Sequence, residues 1–146
     1  KKKKTLIVKT AQEKKLTSLI QKLRLSQNVI MKGAVAHNQI PLYVKAADVF
    51  VLNTGYEGLS HAILETLALG TPTITTNVCG NPEVIKDGDN GMLVEYNNKG
   101  QLEQAILAIL ENEALQKQLR QNGIETVRQF NWDRLTEETV ALFKNI

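Results

Sequence analysis

Two carboxylates, Glu57 and Glu65, stand with seven residues between them in the run Glu57-Gly58-Leu59-Ser60-His61-Ala62-Ile63-Leu64-Glu65. The spacing carries the pair across a turn and into a helix. A carboxylate set in an apolar helix needs a hydrogen-bond partner or a water-lined cleft, because a buried, unpaired charge is strongly disfavoured. That makes Glu65 a candidate ligand contact. Between the two acids, a strand-turn-helix step leaves the amides of Gly58, Leu59, Ser60 and His61 unpaired at a helix N-terminus, where amides and helix dipole together favour an anion, above all a phosphate. Gly58 lets a backbone approach such a ligand closely. A plainer reading of the same residues stays open: Glu57 complements the dipole, Ser60 is an N-cap and Glu65 points to solvent.

The elements that must position this run are legible on either side of it. Asp48-Val49-Phe50-Val51-Leu52-Asn53 has the composition of a short buried strand. Ala62-Ile63-Leu64 and Leu67-Ala68-Leu69 predict a helix apolar on nearly all sides, ended by Gly70 and followed by Pro72. Along the whole chain strand and helix alternate. The pattern predicts strands at residues 5–9, 28–32, 48–53, 73–76 and 92–95. It predicts helices at 12–25, with Leu16, Leu19, Ile20 and Leu23 on one face, at 40–47, after the turn at Gly58, and around 82–86. This order implies a parallel sheet with helices on both faces and ligands at the carboxyl ends of the strands. Beyond Tyr96 the chain reads as wholly helical, through 99–111, 113–129 and 133–145, with Leu102, Ala105, Ile106, Ile109 and Leu110 making one packing stripe.

Composition bounds the functional classes. The 146 residues, 42% hydrophobic and 23% charged, fit one domain of modest size. There is no apolar run of bilayer length and no secretory signal, so a cytoplasmic setting is expected. The net charge of +3 is raised by Lys1 to Lys4, which reads as a solvated terminus. With 5% aromatics and no motif, nucleic-acid binding is not expected. Cys79 is the sole cysteine, which excludes an intramolecular disulfide and suits a structural thiol better than a nucleophile. Two histidines, His37 and His61, without clustered acids or cysteines predict no bound metal.

The residues from Gly33 through Leu42-Tyr43, Ala46 to Val51, Glu57-Gly58, Glu65, Gly70-Thr71-Pro72, Gly80-Asn81-Pro82-Glu83-Val84-Ile85 and Asp87-Gly88 to Gly91 form a series of family marks. Together they resemble the C-terminal, donor-binding domain of the retaining glycosyltransferases of family four, which have the GT-B fold. The resemblance runs from about Leu6 onward. It implies Glu65 as acceptor for the ribose hydroxyls of a nucleotide-sugar, Glu57 as the carboxylate beside the transferred sugar, and Gly58, Leu59 and Ser60, with His61, as the cradle of the diphosphate. Gly33-Ala34-Val35 resembles the segment lying against the base. No cofactor is implied beyond the nucleotide-diphosphate sugar itself, as donor substrate.

The resemblance also implies departures. The family's donor domain has six strands in the order 3-2-1-4-5-6, and this chain resembles it from the second strand onward, without the glycine-arginine turn and lysine that contact the donor phosphates. Lys9-Thr10-Ala11-Gln12 stands where a glycine-rich turn is expected, and Cys79-Gly80 where a glycine pair is frequent. If the remaining strands close up, the expected fold is a Rossmann-like parallel five-stranded sheet of order 2-1-3-4-5 with a helical C-terminal tail; otherwise a second copy or a partner supplies the strand. Trp132 resembles the aromatic anchor of the family's last helix. The function implied is transfer of a hexose, with retention, to a glycan or lipid-linked acceptor held by an absent domain, at times at the inner face of a membrane. The alternative is a catalytically silent nucleotide-binding or structural module.

Overall fold

The computed structural model describes residues 6–8, 13–130, 136, 140, 141 and 143. The chain divides into two compact units, Lys1–Ile40 and Pro41–Ile146. In the first, β1 (Leu6–Val8) pairs in parallel with β2 (Val29–Met31), Ile7 opposite Ile30. The crossover between them is α1 (Glu13–Lys22), which packs on β2. The sequence pattern carries this helix to Leu25, and the backbone stops it sooner. Arg24 takes a left-handed φ of 55°, and the amides of Leu25 and Arg24 donate back to the carbonyls of Ile20 and Gln21 at 2.9 and 3.0 Å. This is a Schellman closure formed without glycine. The expected apolar face is only partly covered within this unit: Leu16 and Ile20 are half-buried, whereas Leu19 and Leu23 are 48% and 55% exposed.

The second unit takes in α2 (Ile40–Ala46) from Pro41 onward; a single 3-10 turn at His37–Gln39 precedes that helix in the chain. The unit is built on β3 (Phe50–Leu52), β4 (Thr73–Thr76) and β5 (Met92–Val94), a parallel sheet in that order with Val51 opposite Ile74 and Ile74 opposite Met92. The intervening helices are α3 (His61–Ala68) and α4 (Asn81–Val84), and α5 (Lys99–Glu111) and α6 (Glu113–Val127) follow. The α/β class and parallel pairing are as expected. The ladders described are β1-β2 and β3-β4-β5, and the continuous order 2-1-3-4-5 is not among them. No described helix is long and apolar enough to cross a membrane.

Alternation along each strand sends side chains to opposite faces, and each face of the β3-β4-β5 sheet has its own core. Ile74 and Val94, joined by Val51 and Met92, pack with Ala105 and Ile109 of α5 and Leu119 of α6. Leu52 and Leu93 point the other way and pack with Ile63 and Leu67 of α3, Val84, Ile85 and Val127. Helix α6 therefore serves both cores, Leu115 and Leu119 one and Val127 the other. Between them Gly123 lies so close to α3 that a Cβ there would sit 3.0 Å from Leu67.

Two helix starts are fixed by side-chain caps: Asn98 accepts from the amide of Gln101 at 3.1 Å and Asn112 from that of Leu115 at 3.0 Å. The stop at Gly70 is also as expected. Its φ is +68°, and the amides of Gly70 and Thr71 return to Leu67 and Thr66. Of the helix expected at 133–145, Thr136, Val140, Ala141 and Phe143 are described and helical, while Trp132 lies outside the described residues, as do Lys1 to Lys4 and Lys9 to Gln12.

Ile109 is fully buried between α5 and the sheet. Ile109→Ala is expected to cost roughly 2–5 kcal/mol; urea unfolding should show a lower midpoint at unchanged slope.

Candidate functional site

The site is the connection from the carboxyl end of β3 to the start of α3, held at Leu52, Thr54 and Glu57 through their carbonyls. Thr76, the last residue of β4, donates its hydroxyl to the Thr54 carbonyl at 2.6 Å, and Thr75 donates to the Leu52 carbonyl at 3.0 Å. The Thr54 hydroxyl in turn donates to the Tyr56 carbonyl at 2.8 Å, closing a tight local turn. Gly55 lies beneath the ring of Tyr96, where a Cβ would come within 2.9 Å of Cζ. Tyr56 itself is 81% exposed.

A second loop, residues 77–80, locks the far side of the turn. The Gly80 amide donates to the Glu57 carbonyl at 3.1 Å, and a Cβ on Gly80 would stand 2.5 Å from the Gly58 carbonyl oxygen. No side chain fits there. Cys79 before it has a positive φ of 48°. The two positions at which the family often carries glycines thus make different demands, a left-handed backbone at 79 and empty space at 80. Only the second strictly requires glycine. The thiol of Cys79 is free and exposed.

At the head of α3, Ser60 occupies the N-cap position with an extended φ and ψ of −79° and 105° but makes no side-chain cap. It is buried, 3% exposed. Its carbonyl takes the amides of Ile63 and Leu64, both at 3.1 Å. The amides of Gly58, Leu59, Ser60 and His61 donate to no described acceptor. They form a short row of unpaired N–H groups at the positive end of the helix.

The two acids differ in setting. Glu57 is half-buried on the turn. Glu65 is exposed, which corrects the expectation of a helix apolar on nearly all sides and fits the plainer reading that turned it to solvent: Ile63, Thr66 and Leu67 are buried, while His61, Ala62, Glu65 and Ala68 are exposed. The reason is helical period. Positions 61, 65 and 68 fall on one stripe, and the alanines beside Glu65 are small enough to leave that stripe uncovered. Neither carboxylate makes a described hydrogen bond or ion pair; Glu57 lies on the turn that carries the unpaired amides, and Glu65 one helical turn into α3.

Gly33, Ala34 and Val35 belong to the first unit; Gly33 has a φ of +60° with open space around it, Ala34 is exposed and Val35 half-buried. His37 lies in the 3-10 turn and is exposed. Among the described residues no cluster of three or more His, Cys, Asp or Glu is placed to hold a metal ion. Sequence reasoning missed Thr54, Thr75, Thr76, Asn81 and Tyr96 as supports of the turn. For Thr75 and Thr76 the signal was the threonine-rich run of residues 73–76; Thr54, Asn81 and Tyr96 carried none of this kind.

A parallel α/β domain with an amide-lined turn at the carboxyl end of its sheet defines the class. The sequence pattern of the glycosyl transferases group 1 family matches residues 4–126, and the chain belongs to that family. An uncharacterized glycosyltransferase of Methanocaldococcus jannaschii is 31% identical over 121 residues, covering 83% of this chain and 34% of that protein. Among solved structures, Anabaena Alr3699/HepE in complex with UDP superimposes over 98% of this chain and 41% of its own, with a TM-score of 0.86 at 21% identity. The C-terminal domain of a glycosyl transferase group 1 family protein (LpcC) from Francisella tularensis gives 0.74 at 29% identity, over 80% of this chain and 60% of that one. The fold is thus the Rossmann-like fold of GT-B glycosyltransferases. The chain spans about a third of the length of the curated relatives it matches.

Two substitutions probe the turn. Gly80→Ala is expected to cost roughly 1–3 kcal/mol through overpacking and to move the amide NMR resonances of residues 57–61. Cys79→Gly relieves a left-handed residue worth roughly 1–2 kcal/mol but adds glycine's backbone entropy, about 0.5–1 kcal/mol. A rise in stability of about 0.5–1 kcal/mol is expected from urea unfolding.

Proposed function

We propose that this chain is the donor half-site of a retaining glycosyltransferase of family four, binding a nucleotide-diphosphate sugar at the turn between β3 and α3. The observation that carries the reading is the row of unpaired amides at Gly58, Leu59, Ser60 and His61, flanked by two carboxylates without partners. The amides take the diphosphate, where dipole and N–H groups are already oriented and need no reorganisation. Glu65, one helical turn beyond His61, accepts from the ribose hydroxyls, which suits an ionised carboxylate with all its lone pairs open. Glu57 orients the transferred hexose. The presence of UDP in the complex with Anabaena Alr3699/HepE supports a nucleotide of this kind as the ligand.

Transfer needs no covalent nucleophile from this chain and no cofactor or metal. Its part is to hold the donor in one orientation and to stabilise the departing diphosphate as charge develops on it. The acceptor, a glycan or lipid-linked hydroxyl compound, is bound by a domain outside these residues, in keeping with the third of its relatives' length that the chain spans.

The test is calorimetric titration of the folded chain with a panel of nucleoside diphosphates, beside Glu65→Ala. One diphosphate is expected to bind, and the variant to bind it roughly ten- to a hundredfold more weakly, the value of hydrogen bonds to a charged acceptor. A folded chain that binds none of them overturns the proposal.

A further inference from the structure

The side chain of Asn81 is almost wholly enclosed, 1% exposed, at the first position of α4. Its Nδ2 donates to the Thr76 carbonyl at 3.0 Å and to the Thr75 hydroxyl at 3.1 Å, and lies 3.4 Å from the Thr76 hydroxyl. A carbonyl can only accept, so the nitrogen of the amide must face β4. The consequence falls on the other atom: Oδ1 is buried with no hydrogen-bond partner among the described residues. An enclosed acceptor left without a donor is destabilising. A leucine of similar size would carry no such orphan. The bonds that Nδ2 donates and the orphaned Oδ1 act in opposite directions, so local stability gives little reason for an asparagine over a leucine here.

What the carboxamide does is direct two hydroxyl protons. Because Nδ2 donates toward the Thr75 and Thr76 oxygens, their own protons turn outward, to the carbonyls of Leu52 and Thr54. Those two carbonyls mark the end of β3 and the beginning of the turn that bears Glu57. The neighbouring residue, Gly80, holds the other end of that turn through the Glu57 carbonyl. Consecutive residues thus clamp both ends of one five-residue segment, 54–58, and donor-to-acceptor chains of this kind reinforce one another in a buried setting.

We infer that Asn81 is a positioning residue for the donor site, setting the turn of Glu57 and the amides of residues 58–61 through Thr75 and Thr76 without touching the ligand. The inference rests on the nucleotide reading above, and adds to it a residue that acts from beneath the turn. A polar atom left unsatisfied in the interior is the local cost of holding a functional segment in place.

The experiment joins a ligand-free readout to a binding one. In wild type and Asn81→Leu, backbone amide order parameters of residues 55–61 are measured by NMR without ligand. Affinity for the diphosphate identified by titration is measured on the same samples, with the urea midpoint as control. Asn81→Leu is expected to fold with a midpoint near that of wild type, to lower the order parameters of the turn from rigid values near 0.85 toward 0.6, and to weaken binding about tenfold. Thr76→Val and Thr76→Ser guard against a variant that does not fold. Valine removes the hydroxyl and should loosen the turn and weaken binding; serine keeps it and should behave as wild type. A wild type that binds, with a turn or an affinity unchanged in Asn81→Leu or Thr76→Val, overturns the positioning role alone. A folded wild type that binds no diphosphate overturns the nucleotide reading and this inference with it.

Discussion

The Gly58 carbonyl oxygen occupies the space in which any side chain at residue 80 would have to begin. That close approach of two backbones governs the site. It brings the loop after β4 against the loop after β3, so that the Gly80 amide satisfies the Glu57 carbonyl while the amides that follow Glu57 remain unsatisfied. Without the approach the turn would be an ordinary solvent-facing connection. With it, the Glu57 carbonyl is committed to the protein while the four amides that follow keep no described partner, the state of pairing that an anion site at a helix N-terminus requires.

The same economy explains why a strand with no exposed residue is three-quarters threonine. In β4 only Ile74 supplies an aliphatic side chain to a core; Thr73, Thr75 and Thr76 each send a hydroxyl to a carbonyl that the ladder leaves able to accept again. Burying a hydroxyl without a partner is costly, and none is so buried here. The methyl groups keep the branched shape that suits a strand. The hydroxyls of Thr75 and Thr76 fasten the carboxyl end of β3 and the residues after it, which is where a parallel sheet presents ligands.

What the sequence disclosed and what it withheld follow from the range of the forces involved. The span of β4 was legible to the residue, as was that of α5, because a β-branched run between Pro72 and Val78 and an asparagine cap at 98 are local signals. The glycine stop at 70 was legible for the same reason. The apolar periodicity carries helix α1 past its end, since nothing local marks Arg24 as a residue that will turn left-handed. Glu65 was set in too apolar a helix, because counting Leu and Ala together hides that Ala62 and Ala68 leave an open stripe. The spacing of the two acids across a turn located the Glu57 to Glu65 run, and family resemblance gave its residues their roles. The supports under it were not legible, since Thr54, Thr76 and Asn81 meet only after the chain has folded back on itself.

Helix α6 gives the second unit a particular history. Its Leu119 is needed on one face of the sheet and its Val127 on the other, and it reaches back to α3 across more than forty residues of chain. During synthesis, then, strands β3 to β5 and the turn they carry emerge before the helix that closes either face. Until residue 127 has left the ribosome, one face is covered only by α3 and α4 and the other only by α5, and the contacts of Leu119 and Val127 that complete the two cores form last.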